Sequence, residues 1–382
     1  VAEFDKALAI DPKLMRAMQL EGEYLAYDGR FDDARRVLNA CVTAIPTAVN
    51  CMSDLTDLEG ELGQCDTMEA QARSALMIDP DHDVAYDALA TALVARGRPL
   101  DSAREVLRQK RTRPDVTAGD RAREEAAADT QIAMVAGDFP GALEGARRFD
   151  DALGSETAVG PHAWVARRRV EAYLESGKNA EAVRAAKHFL DRRDGWDPDP
   201  RGEDWAIAED PTGFMLGVLH RAGALTDDQL ASKRAAWLAQ WGVRAMRPSI
   251  NYVWVHQVGA GVDTRDEGEA ALALLPQYMP IPLYFAQTLG GYHVGHAFLA
   301  AGRVGDALPW LQQAARSCHA LDLPYEHTHA LFTLGQAEEQ NGDTSGACAA
   351  YASVVERWGH ARPRSVTAEG ARKRVAALGC TK

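Results

Sequence analysis

The side chains best suited to chemistry lie near the C-terminal end of the chain. His293 and His296 are three residues apart in a segment whose pattern predicts a helix, so they share one face. His327 and His329 follow, with Cys318 and His319 between the two pairs. Imidazole and thiolate together are a zinc donor set. His327 and His329 are two apart, however, and cannot share a helical face, so at most one of them could join His296. The competing reading is packing or groove-lining histidines, and no metal ligand is assigned. Ser155, His162 and nearby aspartates supply the residue types of a nucleophilic triad, but no G-x-S-x-G turn accompanies them. No catalytic residue and no cofactor is expected. Arg362-Pro363-Arg364-Ser365 reads either as a phosphorylation site, with basic residues before a serine, or as the linker to a terminal helix.

The six cysteines, Cys41, Cys51, Cys65, Cys318, Cys348 and Cys380, form no C-x-x-C pair. With no export signal in an acidic chain, the expectation is reduced, buried thiols in a cytoplasmic protein. Cys51 and Cys65 fall at opposite ends of one predicted helix, too far apart to be bridged to each other. The formal net charge of −13 over 382 residues disfavours nucleic-acid backbones and anionic membranes as partners. No apolar run reaches the length of a membrane span.

The elements that would position these residues follow from a repeat. Pro12, Pro46, Pro80 and Pro114 are each 34 residues apart, and so are Gly29, Gly63 and Gly97. Small residues keep the register at Ala7, Cys41 and Ala75, and apolar ones at Phe4, Leu38 and Ala72. A 34-residue unit with a glycine turn and a closing proline is the tetratricopeptide (TPR) helix hairpin. Glycine supplies the left-handed turn between the helices, and proline ends the second helix. The fold class is therefore all-α: a TPR-type α-α superhelical solenoid of antiparallel helix hairpins. Val1 opens inside the second helix of a repeat, which implies that the native start lies upstream.

Residues 1–120 hold the regular repeats, the first one truncated. Residues 121–193 hold longer ones, because Gly137 to Gly177 is 40 residues; a longer loop near Leu153–Gly160 is expected. Residues 194–249 form an irregular insert. Within it, Asp194–Pro211 is turn-rich, and Trp196 and Trp205 either clamp it to the array or form a recognition loop. Asp210-Pro211 predicts a helix start, with the helix ending near Gly223. Thr226/Gln229 and Thr264/Glu267 have capping-box spacing for helices running to about Trp241 and Leu275. Residues 250–382 comprise a degenerate hairpin, two further repeats and a capping helix near Ala368–Leu378. Leu331-x-x-Leu334-Gly335 is the nearest match to the written repeat signature. Leu331 is expected in an apolar slot and Glu338 pointing outward.

The segments LDLPYEHTHALFTLGQ, NGDTSGACAAYASVVERWG and ARPRSVTAEGARKRVAALGC, with CMSDLTDLEGELGQCDTMEAQAR, FLDRRDGWDPDP and WAIAEDPTGFML, resemble the C-terminal TPR regions of myxobacterial serine/threonine protein kinases and related signalling proteins. The resemblance spans most of the chain. It implies a bacterial, cytoplasmic signalling context with any kinase domain upstream of residue 1. None of the kinase's own motifs is present, and Gly177-Lys178 lacks the upstream glycine of a phosphate loop because position 172 is alanine.

The expected activity is protein–protein interaction through the first helices of the repeats. The alternative is a helical enzyme or metal protein using the His-rich end. A clamp for a chaperone's terminal carboxylate is disfavoured, because the groove positions are nearly empty of Lys and Asn. From the repeat register, Gln19, Glu23, Tyr27, Ser53, Asp57, Glu61, Asp87 and Thr91 should face the groove, with Arg16 the only nearby cation. At the other end Tyr292, His296, His329 and Phe332 should line it. A protein or peptide partner is implied, with Lys or Arg toward the acidic end and apolar or aromatic anchors toward the other. The opposite reading is that the carboxylates are merely solvated.

Overall fold

The computed structural model describes residues 2–197, 210–245, 249–285 and 288–380. The chain divides into two compact units. The first comprises Val1–Thr117 with the short segments Pro280–Leu283 and Arg316–Asp322, and the second the remainder.

Unit 1 contains helices α1 (Ala2–Ile10), α2 (Met15–Tyr27), α3 (Phe31–Ala44), α4 (Val49–Glu61), α5 (Cys65–Ile78), α6 (Asp83–Ala95) and α7 (Leu100–Arg111). Three successive antiparallel hairpins, α2/α3, α4/α5 and α6/α7, stack in chain order. The repeat arithmetic explains each boundary. Gly29, Gly63 and Gly97 adopt φ of 74°, 78° and 66°, a region that costs glycine nothing and other residues strain. The apolar column is buried at Leu38 and Ala72. A second column appears at close helix approaches. A Cβ added to Gly22 would lie 2.5 Å from Leu38, so α2 can touch α3 only because that position is bare.

Unit 2 contains α8 (Ala118–Val135), α9 (Phe139–Leu153), α10 (Val159–Glu175), α11 (Asn179–Arg192), α12 (Thr212–Arg221), α13 (Asp227–Gln240), α14 (Ser249–Val253), α15 (Arg265–Leu274), α16 (Gly290–Ala300), α17 (Val304–Arg316), α18 (Pro324–Gln340), α19 (Thr344–Trp358) and α20 (Val366–Leu378). A π-helical turn at Trp254–Val258 and a two-residue antiparallel ribbon, Tyr284–Phe285 with Thr288–Leu289, interrupt the helices. The close-approach column recurs at Gly295 against Leu311 and Gly335 against Tyr351, each with an added Cβ 2.6 Å from its partner. Both capping boxes, Thr226/Gln229 and Thr264/Glu267, are formed. α12 ends at Arg221 with Gly223 at φ 71°. The fold class is the expected one: all-α, built of TPR-type antiparallel hairpins.

Unit 2 departs from an open array. In such an array a repeat touches only its sequence neighbours. Here α19 and α20 share a core with α8 and α9, made of Met134, Phe139, Ala142, Tyr351, Trp358 and Ala368. The buried Trp358 indole donates to the Met134 carbonyl at 2.8 Å.

Several expectations are corrected. The extra residues between Gly137 and Gly177 do not collect in a loop: α10 has 17 residues against 13 in α4, so most of them lengthen a helix. Glu338 does not point outward; it is buried and accepts from Gln312 Nε2 at 2.9 Å. Leu331 does fill an apolar slot, beside Tyr351 and Phe332. The cysteines are not free thiols, because all six are paired as Cys41–Cys51, Cys65–Cys318 and Cys348–Cys380. Their Cα–Cα separations of 6.4, 5.6 and 5.7 Å are ordinary for disulfides. The second pair joins residues 253 apart in sequence, a proximity that no local spacing reveals. Trp205 and the rest of 198–209 lie outside the described residues.

Candidate functional site

In unit 1 the first helices of the repeats bring carboxylates together. Glu23 on α2, Asp54, Asp57 and Glu61 on α4, and Asp87 on α6 act on one another electrostatically, and Asp322 joins them from the Arg316–Asp322 segment. Burial pushes Asp57 up to about 6; His319 opposes the rise, while Asp322, Asp87 and Glu23 add to it. Burial and Glu23 push Asp54 up to about 7. Asp87 rises to about 6 through burial, although Lys110 donates to it at 2.7 Å. Glu61 is raised by burial and by Asp57.

Other expected groove residues are engaged by side chains within unit 1. Gln19 accepts from Arg16 Nη1 at 2.8 Å, and Glu23 accepts from the Tyr27 hydroxyl at 2.8 Å. Ser53 Oγ is 2.6 Å from His82 Nε2. The buried Thr91 donates to Asp322 Oδ1 at 2.9 Å. Arg16 is thus not the only nearby cation, since Lys110 also reaches the set.

The sequence reading missed Asp54 and Asp322. Asp54 was legible, because it precedes Asp57 by three and shares its helical face. Asp322 was not. Its segment is outside the repeat register and is held on unit 1 by Cys65–Cys318 and by the Cys318 N–H donating to the Gly60 carbonyl at 2.9 Å.

Unit 2 carries a buried polar seam. Glu326 at the start of α18 accepts from the Leu289 N–H at 2.7 Å, from His293 Nε2 at 2.9 Å and from Arg167. Arg167 Nε also donates to Glu171 at 2.9 Å, and Arg168 to the other oxygen of Glu171 at 2.7 Å. Burial opposes ionisation of Glu326, yet Arg167 and His293 hold it well below the usual carboxylate range. Glu175 is likewise buried but lowered: it accepts from His329 Nε2 at 2.8 Å and from the Ser365 and Thr367 hydroxyls, each at 2.7 Å. Ser365 is therefore the buried N-cap of α20, accepting from the Ala368 N–H at 3.0 Å; its hydroxyl is not presented to solvent. His256, only 2 % exposed, has no partner at Nε2 among the described residues. Burial and Arg167 hold it neutral.

Three of the four residues expected at this end come together. Tyr292 stacks on His296 at 5.8 Å between centroids and meets His329 edge-on at 6.5 Å. Tyr325, absent from the sequence reading, stacks on His329 at 4.1 Å. Phe332 is not in this group; it packs against Tyr351 at 5.7 Å in the core. His327 turns away and accepts from Arg357 Nη1 at 2.9 Å. Among the described residues no three His, Cys, Asp or Glu side chains are grouped to hold a metal ion. His162 is 3.0 Å from the Glu156 carbonyl and stacks on Trp196 at 4.3 Å, which clamps Trp196 against α10.

No protein-family model matches the chain, and no curated protein matches it. Three solved structures align along nearly all of it. "Structure of Naa15/Naa10 bound to HypK-THB" has 15% identity and a TM-score of 0.31, covering 98% of this chain and 58% of that one. The P58(IPK) TPR domain has 13% identity and a TM-score of 0.25, covering 96% and 99%. Yeast Tom70 has 12% identity and a TM-score of 0.31, covering 96% of each. Likeness at these levels carries no argument about function, and the fold assignment rests on the hairpin geometry above.

Proposed function

We propose that the chain is a protein-interaction scaffold whose first three repeats bind a partner segment bearing Lys or Arg. One observation carries this reading. Asp54, Asp57 and Asp87 converge from successive first helices at a cost to their own ionisation. A cation brought among them would relieve that cost, because opposite charge favours the ionised form. Substitution of Asp57→Asn with Asp87→Asn tests it, using a short fluorescein-labelled Lys/Arg-rich peptide in fluorescence anisotropy at about 25 and 150 mM salt. Binding to the parent that weakens with salt and is lost in the variant supports the reading. Equal binding by both proteins refutes it.

The segments quoted above favour a module in the C-terminal part of a bacterial signalling protein such as a serine/threonine kinase. Reading the frame upstream of Val1 tests that assignment. The complete pairing of the cysteines favours an oxidising compartment over the cytoplasm. No helix among the described residues is long and apolar enough to cross a membrane.

A further inference from the structure

Around Tyr292 the committed and uncommitted groups differ in kind. The carboxylates that act on Tyr292 are engaged: Glu326 by Arg167, His293 and the Leu289 N–H, and Glu175 by His329, Ser365 and Thr367. Glu267 Oε2 is held by the α15 cap, while its Oε1, 3.4 Å from His220 Nδ1, has no hydrogen-bond partner among the described residues. The other uncommitted groups can all donate. The Tyr292 and Tyr325 hydroxyls, the His296 ring and the Arg221 guanidinium have no hydrogen-bond or ion-pair partner among the described residues. Arg221 is exposed at the end of α12 and acts electrostatically on all three rings. His296 and Tyr325 are half-buried, so solvent reaches the cluster.

Donors that no protein acceptor among the described residues uses, beside stacked aromatic faces, suit a ligand of particular chemistry. An anion satisfies the guanidinium and the hydroxyls, and a planar group matches the Tyr292/His296 and Tyr325/His329 stacks. We propose that this cluster is a binding site for an aromatic carboxylate, with Arg221 and the two tyrosine hydroxyls on the carboxylate and the rings against its planar group.

The charges facing the site agree with it. Burial, with His293, His329 and Arg221, pushes His296 down to about 4, against a weaker opposing pull from Glu267. Burial raises both tyrosines, so they remain protonated donors near neutrality. A bound anion would raise the pKa of His296, and by linkage binding tightens as pH falls toward that of the complex. The site is independent of the acidic face of unit 1.

The test is ligand-observed NMR titration of the whole chain with benzoate at pH 6, using benzamide as the neutral isostere. Benzoate should bind at least about tenfold more tightly than benzamide, and Arg221→Gln should remove about that factor. Arg221 is exposed, so this variant keeps the fold, which circular dichroism checks. Benzoate should also raise the titration midpoint of His296, a change that a purely structural role for these residues would not produce. Phenylacetylglycine, whose carboxylate resembles a peptide end, separates the two sources of the ligand. Tighter binding than benzoate supports the site as a chain-terminus reader, and weaker binding supports a free acid. Equal affinity for benzoate and benzamide, unchanged benzoate affinity in Arg221→Gln, or no benzoate binding at about 10 mM overturns the proposal.

Discussion

Asp57→Asn should stabilise this protein at pH 7.5. In the folded chain burial raises the Asp57 carboxyl from 3.8 to about 6, with Asp322, Asp87 and Glu23 contributing. The folded state therefore holds a proton more tightly than the unfolded state does. Stability from this group is present below about pH 4 and is lost as pH rises through about 6. A rise of that size corresponds to about 3 kcal/mol when the group is ionised. Solvent still reaches Asp57, so about half of that, ~1.5 kcal/mol, is a fair expectation. Asparagine keeps the shape and removes the charge. Hydrogen exchange of peptides from α4, corrected for the intrinsic pH dependence of exchange, isolates the effect within unit 1. At pH 7.5 exchange through opening of α4 should slow by about tenfold, since 1.4 kcal/mol is a factor of ten. At pH 4.5, inside the window between the unfolded and folded values, the gain should shrink to roughly half of that at pH 7.5. Faster exchange in the variant at pH 7.5, or the same gain at both pH values, would show that the carboxylates are not in mutual conflict. The reason for expecting a cationic partner would then disappear.

Three further outcomes follow from the same contacts. Glu326→Ala should cost about 3–5 kcal/mol in urea denaturation, because it strips the buried Arg167 and His293 of their shared partner; a loss under about 1 kcal/mol would refute the seam's role. Ending the chain before Ala361 removes Ser365 and Thr367 from the buried Glu175 and uncovers Phe332, against which Gly370 of α20 packs. That variant should melt well below the parent, and an unchanged melting curve with a monomeric elution would refute the packing of α20. Thiol alkylation of the natively purified chain should find no reactive cysteine, and Cys65→Ser should destabilise unit 1 by about 5 kcal/mol on a loop-entropy estimate for 253 residues; six labelled thiols in a chain of unchanged stability would refute the pairing.

Half of the unit 2 site was readable in advance. Tyr292 and His296 are four apart on one helix, so helical periodicity alone places them together. His329 was placed with them by repeat register. Phe332 was misplaced by the same reasoning: it is three residues beyond His329, but α18 turns that position toward Tyr351 and the core. Tyr325 is four before His329 on α18, so the same periodicity could have found it; Arg167 and Arg221 come from helices far from α18 in sequence, and each looks like an ordinary surface residue where it stands.

What the sequence determined by itself is the repeating local structure. Gly29, Gly63 and Gly97 set where helices turn, Pro46 and Pro80 where they end, and bare positions such as Gly22 and Gly335 where two helices touch. These are short-range constraints of backbone conformation and excluded volume, so they are written in spacing. What only the tertiary structure decided is every pairing between distant segments: Cys65 with Cys318, Thr91 with Asp322, Trp358 with Met134, and Arg167 with Glu326. Such pairs depend on how stacked hairpins and returning segments accumulate over hundreds of residues. A sequence fixes that path only through the sum of its packing, and no local signal at either partner reports it.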